Sequence, residues 1–306
     1  MAKNLRIGIV GFDTSHVPAF TRVLNDANDP FHVPGGKVVV GYPSFSSDLE
    51  SSYSRVDGFV KDVTENYGVA IVDSVEKLVE QVDAVLLESV DGRRHLTEAR
   101  PILEAGLPVY VDKPLAASYK DAAEIAALAE KTGAPIFSSS SLRYDANILA
   151  LKSDPDLGAV QTCDAFSPAT LDPTNPGLYW YGIHGVEILY TFMGTGCQSV
   201  TAHVTPAYHV VVGDWGDGRV ATVRGLRAGA RGYGATVFGE GKIGQTQYST
   251  EIPIYAQLLK EIVPFFAGAP APVPMAETME MMAFIEAASV SEGEGRTVAL
   301  SEISGA

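Results

Sequence analysis

The sequence predicts an α/β fold in two parts, a doubly wound parallel sheet followed by an α+β domain with a largely antiparallel open sheet. Up to about residue 140, short apolar runs alternate with longer helix-like segments, as in parallel strands covered by helices. Later, apolar and polar residues alternate between glycine turns, which is typical of an antiparallel sheet. The 306 residues, 46% of them hydrophobic, suffice for two domains. We place the boundary between residues 143 and 144.

The elements of the first part have clear limits. Two helices stand out. Asp73-Ser74-Val75-Glu76 forms a capping-box pattern at the start of residues 75–82, and Ser118 with Asp121 opens an Ala-rich helix that stops at Gly133. Buried parallel strands are short, rich in Val, Ile or Leu, and bounded by turn residues. The segments that fit this description are 5–10, 37–41, 84–87, 109–111 and 136–137.

The second part is predicted to contain four strands and two helices. A proline-rich connector, residues 268–274, separates the two helices. The predicted strands are 159–166, 199–212, 219–226 and 235–238, and the predicted helices are 254–266 and 276–289.

Charge and hydropathy exclude several classes of partner. With 22 basic and 37 acidic residues, the net charge is −15, which opposes binding to nucleic acid or to an anionic membrane. No apolar run approaches the roughly 20 residues of a membrane span, and the first residues do not resemble a signal peptide. Cys163 and Cys197 lie in no CxxC or zinc pattern. We therefore expect a cytoplasmic protein with reduced thiols.

The loop after the first strand is a modified phosphate-binding loop. In a dinucleotide-binding fold this loop reads G-x-G-x-x-G, and here Gly11 keeps the first glycine while Asp13 and His16 replace the others. A carboxylate about 5 Å from a phosphate costs on the order of 3 kcal/mol. Thr14 and Ser15 either compensate by donating to a phosphate or simply cap the following helix.

The end of the second strand also departs from the dinucleotide-binding pattern. The acidic residue that holds the ribose hydroxyls is replaced by a hydroxyl-rich stretch, residues 41–47, which includes Ser44. Without that acid, the choice between NAD and NADP stays open.

Several later segments resemble the Gfo/Idh/MocA oxidoreductases. Asp112-Lys113-Pro114 is similar to the E-K-P motif of that family, with Asp112 in place of glutamate. The resemblance also covers residues 83–91 with His95, then 141–145 and 182–187, in the family's order. It implies an NAD or NADP site in the first domain and a sugar, sugar derivative or cyclitol as substrate. It further implies a homodimer or homotetramer formed through the second sheet.

The resemblance implies roles for particular residues. Lys113 would contact the substrate hydroxyl and the nicotinamide ribose, and would take up the hydroxyl proton during hydride transfer. His184 would face the nicotinamide and share that proton transfer. The residues expected to contact the cofactor are Gly8, Gly11, Phe12, Asp13, Thr14, Ser15, His16, Ser44, Glu88, Ser89, His95, Asp112, Lys113 and Arg143.

Around His184 the sequence departs from the family's D-x-x-x-H pattern, because Trp180 stands where the aspartate belongs. Trp180 and its aromatic neighbours either stack on a sugar ring or pack in the core. Glu187, one helical turn after His184, could orient the imidazole or bind a substrate hydroxyl. The residues expected to contact the substrate are Lys113, Arg143, Tyr144, Trp180, Tyr181, His184 and Glu187.

Three functions compete at this point. The first is an NAD(P)-dependent oxidoreductase, and the second is a glycosidase or lyase that oxidises its sugar transiently with bound NAD. The third is a non-catalytic ligand sensor or regulatory protein, since a fold does not fix a function. No metal ion is expected, because the sequence contains neither an HExxH motif nor a carboxylate-rich ligand set.

Overall fold

The computed structural model describes residues 4–305, which form two compact units. The first unit contains the chain up to Ala116, together with residues 120–139 and 255–275. The second unit contains residues 117–119, 140–254 and the chain from Ala276 onward. Each unit is built around one sheet, and the two sheets are described in turn.

Thirteen strands and eleven α-helices lie among the described residues. The strands are β1 Leu5–Val10, β2 Gly36–Tyr42, β3 Ala70–Ile71, β4 Ala84–Leu87, β5 Val109–Asp112, β6 Ile136–Ser139, β7 Val160–Pro168, β8 Ser199–Val204, β9 Tyr208–Asp214, β10 Val220–Leu226, β11 Gly234–Gly239, β12 Ile243–Gln247 and β13 Val298–Ala299. The helices are α1 His16–Asn25, α2 Glu50–Tyr53, α3 Val56–Tyr67, α4 Val75–Val79, α5 His95–Glu104, α6 Tyr119–Thr132, α7 Ala146–Lys152, α8 Ile183–Met193, α9 Ile254–Phe266, α10 Met275–Glu294 and α11 Leu300–Ser304.

The first unit contains the predicted parallel sheet. Its strand order is β3-β2-β1-β4-β5-β6, and every neighbouring pair is parallel. All residues of β4, β5 and β6 are buried, as expected for strands covered on both faces. The strand order reverses between β1 and β4. In doubly wound sheets, ligands bind where the strand order reverses, at the carboxyl ends of the strands.

The second unit contains a seven-stranded sheet in the order β12-β11-β7-β10-β9-β8-β13. All neighbours are antiparallel except β7 and β10, which run parallel. Helix α8 packs on the buried face, and Gly185 permits this packing. A Cβ at Gly185 would lie only 2.9 Å from the Ser167 hydroxyl oxygen of β7 and 3.1 Å from Val223 of β10.

The structure divides the chain differently from the expected boundary at residues 143 and 144. The chain leaves the first unit after Ser139, because the Ser140 N–H already donates to Glu187 of α8, at 3.0 Å. Helix α9 belongs to the first unit instead of the second. Its Phe265 packs edge-on against Phe137 of β6, with ring centroids 4.8 Å apart. The apolar face of α9 therefore completes the core of the first unit.

Most predicted elements are confirmed, including the helix cap at Ser74, whose side chain accepts from the Lys77 N–H. The prediction of one strand over residues 199–212 is wrong, because Thr205 and Tyr208 exchange backbone hydrogen bonds and turn the chain between β8 and β9. Strand β12 was not predicted. Its inward positions are Gly244 and Thr246, which give no apolar alternation.

In the described part of the chain, no helix combines the length and the apolar character that a membrane crossing requires.

A buried histidine in the second sheet makes stability depend on pH. His209 is 1% exposed, and neither ring nitrogen has a hydrogen-bond partner among residues 4–305. Burial, with a further contribution from Arg227, lowers the pKa of His209 to about 4. The pKa of His209 is lower in the folded protein than in the unfolded chain, where it is about 6.5. As the pH falls, His209 therefore binds a proton more readily in the unfolded chain, which favours unfolding.

We therefore expect the contribution of His209 to stability to be complete above about pH 6.5 and to be lost progressively toward pH 4, with a loss of about 2 kcal/mol at pH 5. Urea unfolding at pH 7 and pH 5 measures this difference in wild type and in His209→Leu, which should lack it. His203→Leu, at an exposed position of β8, should behave as wild type. Equal pH dependence in wild type and His209→Leu would contradict the assignment.

Candidate active site

The candidate site of the first unit lies at the carboxyl ends of β1, β4 and β5. Gly11 follows β1 at a φ of +89°, in the left-handed region where a side chain is strained. A Cβ at this position would lie 2.3 Å from the Ser89 backbone nitrogen. Gly11 therefore serves both the tight turn and the close approach of the loop after β4. Gly8, by contrast, lies inside β1, where a Cβ would meet Leu78 of α4 at 2.6 Å.

Asp13, at the second glycine position of the loop, is fully buried. Its Oδ1 accepts from the Val90 backbone N–H at 3.0 Å, and the Ser52 hydroxyl donates to its Oδ2 at 2.6 Å. Burial raises the pKa of Asp13, and these two hydrogen bonds oppose the rise. Ser52 and Val90 therefore stabilise this buried acid within the unit.

The first turn of α1 is capped by the residue before the N-cap position. Ser15, the N-cap residue, makes no side-chain cap and is exposed. The Thr14 hydroxyl oxygen accepts from the His16 N–H at 3.4 Å, a long hydrogen bond. The ten-residue helix thus presents its positive end beside an exposed serine.

An aromatic ring packs against β2 close to the end of the strand. Phe12 is fully buried, and a Cβ at Gly41 would lie 2.2 Å from its ring. Gly41 is therefore required for Phe12 to pack there. Ser44, which follows β2, is buried and hydrogen bonds with Ser89, the two hydroxyl oxygens being 3.3 Å apart.

Three titratable side chains meet at the ends of α1, β4 and β5. His16 Nδ1 lies 3.0 Å from Glu88 Oε2 and 3.3 Å from Asp112 Oδ2. Burial opposes a charged His16, but the Asp112 and Glu88 carboxyls raise its pKa well above the usual value. Burial raises the pKa of Glu88 to about 7, against the opposing effect of His16. Asp112 is also buried, yet the charge of His16 holds its pKa below the usual range.

His95 joins the loop after β4 to the chain after Lys113. Its Nε2 lies 2.7 Å from the Ser89 carbonyl oxygen, and its Nδ1 lies 3.0 Å from the Pro114 carbonyl oxygen. The Ser89 hydroxyl donates to Glu98 of α5 at 2.5 Å. His95 and Ser89 were expected to contact the cofactor, and in the structure they fix the backbone around the site.

In the second unit, His184 lies in the first turn of α8. Its Nδ1 is 2.7 Å from the Ser140 hydroxyl oxygen, which sets the orientation of the imidazole. The rings of Tyr181 and Tyr233 approach the imidazole at 71° and 87° to its plane, with centroids 5.2 and 5.6 Å away. All three rings are half-buried. Ser140 and Tyr233 were not predicted; the run of four serines at 138–141 was the only sequence signal for Ser140.

Arg143 and Glu187 form a buried ion pair below this histidine. Arg143 Nε donates to Glu187 Oε2 at 2.7 Å, and Arg143 Nη1 donates to Glu277 Oε1 at 2.6 Å. Burial opposes a charged Arg143, but the two glutamates raise its pKa above the usual value. Arg143 was expected to contact cofactor or substrate, whereas its guanidinium binds these glutamates. Glu187 acts on His184 indirectly, by accepting from the Ser140 N–H.

The remaining predicted substrate residues lie in the same unit. Tyr144 is buried at the end of a 3₁₀ turn, Ser141–Tyr144, and Trp180 is half-buried just before α8. Tyr179 is 1% exposed, and its hydroxyl donates to Glu286 at 2.6 Å. Of the three adjacent aromatic residues, Tyr179 therefore belongs to the core.

Solved structures with this fold include several dehydrogenases. A "probable dehydrogenase" from Thermotoga maritima superimposes with a TM-score of 0.79 at 20% identity, covering 98% of this chain and 100% of the other. The myo-inositol 2-dehydrogenase of Lactobacillus plantarum gives 0.77 at 17% identity, covering 97% and 99%. The apo scyllo-inositol dehydrogenase of Lactobacillus casei gives 0.78 at 14%, covering 98% and 99%. These likenesses show that this chain shares the fold of these proteins.

A family model matches the first part of the chain. Residues 5–140 match the Gfo/Idh/MocA family model, described as the oxidoreductase family with an NAD-binding Rossmann fold. The match confirms the predicted resemblance over this part of the chain.

The dinucleotide of the family, NAD or NADP, fits the first unit at the N-terminus of α1. Thr14 and Ser15 lie at the positive end of this helix, a suitable place for a pyrophosphate, and the Asp13 carboxyl is engaged by donors elsewhere. Lys113 follows β5 at the same edge of the sheet. The bound dinucleotide would supply the hydride donor or acceptor.

The ion pair between Arg143 and Glu187 predicts unequal effects of two similar substitutions. Glu187→Gln keeps the shape but leaves Arg143 with only Glu277, so we expect a loss of about 1–3 kcal/mol in the free energy of unfolding. Glu302→Gln removes an exposed pair with Arg296 and should cost at most about 1 kcal/mol. Urea unfolding of both variants measures the difference. Equal losses would show that burial does not strengthen the first pair.

Proposed function

We propose that the protein is an NAD(P)-dependent oxidoreductase that transfers hydride to or from a hydroxyl-bearing carbon of a sugar, sugar derivative or cyclitol. The observation that carries this proposal is the position of Lys113, directly after β5 at the ligand-binding edge of an NAD-binding family domain. Lys113 is half-buried, while Asp112 and Pro114 on either side of it are buried. Two of the similar solved structures are named inositol dehydrogenases, which favours a polyol substrate.

Lys113 suits the proton-transfer step of this reaction. When hydride leaves a secondary alcohol, the hydroxyl proton must move to a base. The neutral amine of a lysine takes up a proton through its lone pair, its flexible stem lets it reach the substrate, and the buried strand before it fixes its backbone. We therefore assign proton transfer and contact with the substrate hydroxyl to Lys113.

His184 suits a second role in proton transfer and substrate binding. The Ser140 hydroxyl fixes the imidazole through Nδ1, and the Tyr181 and Tyr233 rings lie beside it. Sugars and cyclitols have apolar faces and polar edges, so tyrosine rings with hydroxyl groups match them well. We assign His184 to proton transfer and Tyr181, with Trp180 nearby in sequence, to the substrate ring.

The test is a fluorescence titration with NADH and NADPH, followed by oxidation assays with inositols and simple sugars. We expect binding of at least one dinucleotide and turnover of a polyol. Lys113→Ala and His184→Ala should each lower kcat by about 10²–10⁴-fold while the dinucleotide still binds. Lys120→Ala and His203→Ala, at exposed positions, should retain wild-type kcat.

Other outcomes of these assays separate the alternatives. Cleavage of an aryl glycoside without net reduction of added cofactor would favour the glycosidase or lyase. Failure to bind either dinucleotide at millimolar concentration would refute the proposal and leave the ligand sensor.

We further propose that the protein is a cytoplasmic homo-oligomer that associates through the open face of the second sheet. Tyr208, Val212 and Val220 are about 40% exposed on this face, although they are apolar. Cys163 and Cys197 are free and buried, which suits a reducing compartment.

Light scattering after gel filtration tests the association. We expect a dimer or tetramer for wild type and a smaller assembly for Val212→Asp, because a carboxylate in the contact would be desolvated. Ile71→Asp is the matched control, since Ile71 is equally exposed, at 39%, but lies in the first unit. A monomeric wild type would refute the association.

A further inference from the structure

We propose that His16, Glu88 and Asp112 form a binding site for a divalent transition-metal ion of the Mn²⁺, Fe²⁺ or Zn²⁺ type. Nothing in the sequence motifs indicated this site, because its residues come from three separated segments. The strand order brings these segments together, since β1, β4 and β5 are adjacent in the sheet and α1 follows β1 directly. The proposal does not depend on the substrate or on the dinucleotide.

The distances within the cluster suit a shared ion. Ligand atoms about 2.1 Å from one metal ion, at angles of 90–110°, lie about 3.0–3.4 Å from each other. His16 Nδ1 lies 3.0 Å from Glu88 Oε2 and 3.3 Å from Asp112 Oδ2. All three ligand atoms lie within 4.8 Å of one another, so shifts of a few tenths of an ångström would complete the coordination.

Glu88 supplies an independent indication of a ligand. Its side chain is fully buried, and Oε1 accepts no hydrogen bond from any of residues 4–305. A buried carboxylate oxygen without a donor is costly, and native structures contain few of them. A metal ion bound by both oxygens of Glu88 would satisfy Oε1. Two carboxylates would then balance the two charges of the ion.

The imidazole is held in place for this role. Its ring stacks on Phe20 at 9°, with centroids 5.1 Å apart, and the Tyr255 ring meets it edge-on at 4.5 Å. Its side chain is 11% exposed, more than the side chains of Glu88 and Asp112, so an ion would enter beside His16. When the ion binds Nδ1, any proton on that nitrogen is released to solvent.

The donor set indicates which ions would bind. One imidazole nitrogen with carboxylate oxygens suits Mn²⁺, Fe²⁺ and Zn²⁺, whereas Mg²⁺ prefers oxygen ligands alone. His95, the other buried histidine of this edge, is no alternative ligand, because both of its ring nitrogens lie within hydrogen-bond distance of carbonyl oxygens.

The first experiment measures metal content. Full-length protein is incubated with Mn²⁺, Zn²⁺ or Mg²⁺ and passed through gel filtration. Its bound metal is then measured by inductively coupled plasma mass spectrometry. We expect about one Mn²⁺ or Zn²⁺ per chain and much less Mg²⁺. Glu88→Gln, which keeps the shape of the side chain, and His16→Ala should each weaken metal binding by at least tenfold. Even residues that only hydrogen bond to a metal ligand change metal affinity by about 10–100-fold. His203→Ala, with its exposed imidazole removed, should bind as wild type.

The second experiment needs no variant and is unaffected if a substitution impairs folding. Crystals of wild-type protein grown with Mn²⁺ should show an anomalous-scattering peak within bonding distance of His16, Glu88 and Asp112. A wild type that retains neither Mn²⁺ nor Zn²⁺, or a peak that lies elsewhere, would overturn the proposal. Wild-type metal content in folded His16→Ala and Glu88→Gln would overturn it too. If the metal proposal fails in one of these ways but the protein still binds a dinucleotide, the proposed oxidoreductase activity stands.

Discussion

Two buried carboxyls at one end of a parallel sheet need a positive partner, and the contact of His16 with Glu88 and Asp112 meets that need. Each carboxyl belongs to a chain segment that leaves a different strand, so the imidazole ties the ends of β4 and β5 to the start of α1. Lys113 comes directly after this contact. The geometry of this edge of the first unit therefore depends on one charge-assisted cluster.

The loop after β1 shows how an unusual sequence can keep a familiar fold. Asp13 would be unfavourable beside a phosphate, yet it lies inside the unit, where the Ser52 hydroxyl and the Val90 N–H bind it. Phe12 also depends on Gly41, because its ring packs against a position without Cβ. Where the sequence departs from the glycine motif, contacts within the protein thus hold the loop.

The sequence was informative where local chemistry decides the structure. The limits of β1, β4 and α9 follow from short apolar runs and turn residues, and the cap at Ser74 follows from its own hydroxyl. Contacts between distant segments were not predictable in this way. The pairing of Arg143 with Glu187 and Glu277, and the approach of His16 to Glu88, depend on which strands and helices become neighbours.

Helix α9 gives the chain an unusual order of assembly. The first unit lacks one of its core helices until residues 255–275 are available, because Phe265 packs on Phe137 and Tyr255 packs on His16. Since domains form as their residues emerge during synthesis, most of the second unit is made before the first can close its core. The second unit in turn needs α10, β13 and α11, which are translated last, so neither unit can close its core until nearly the whole chain has been made.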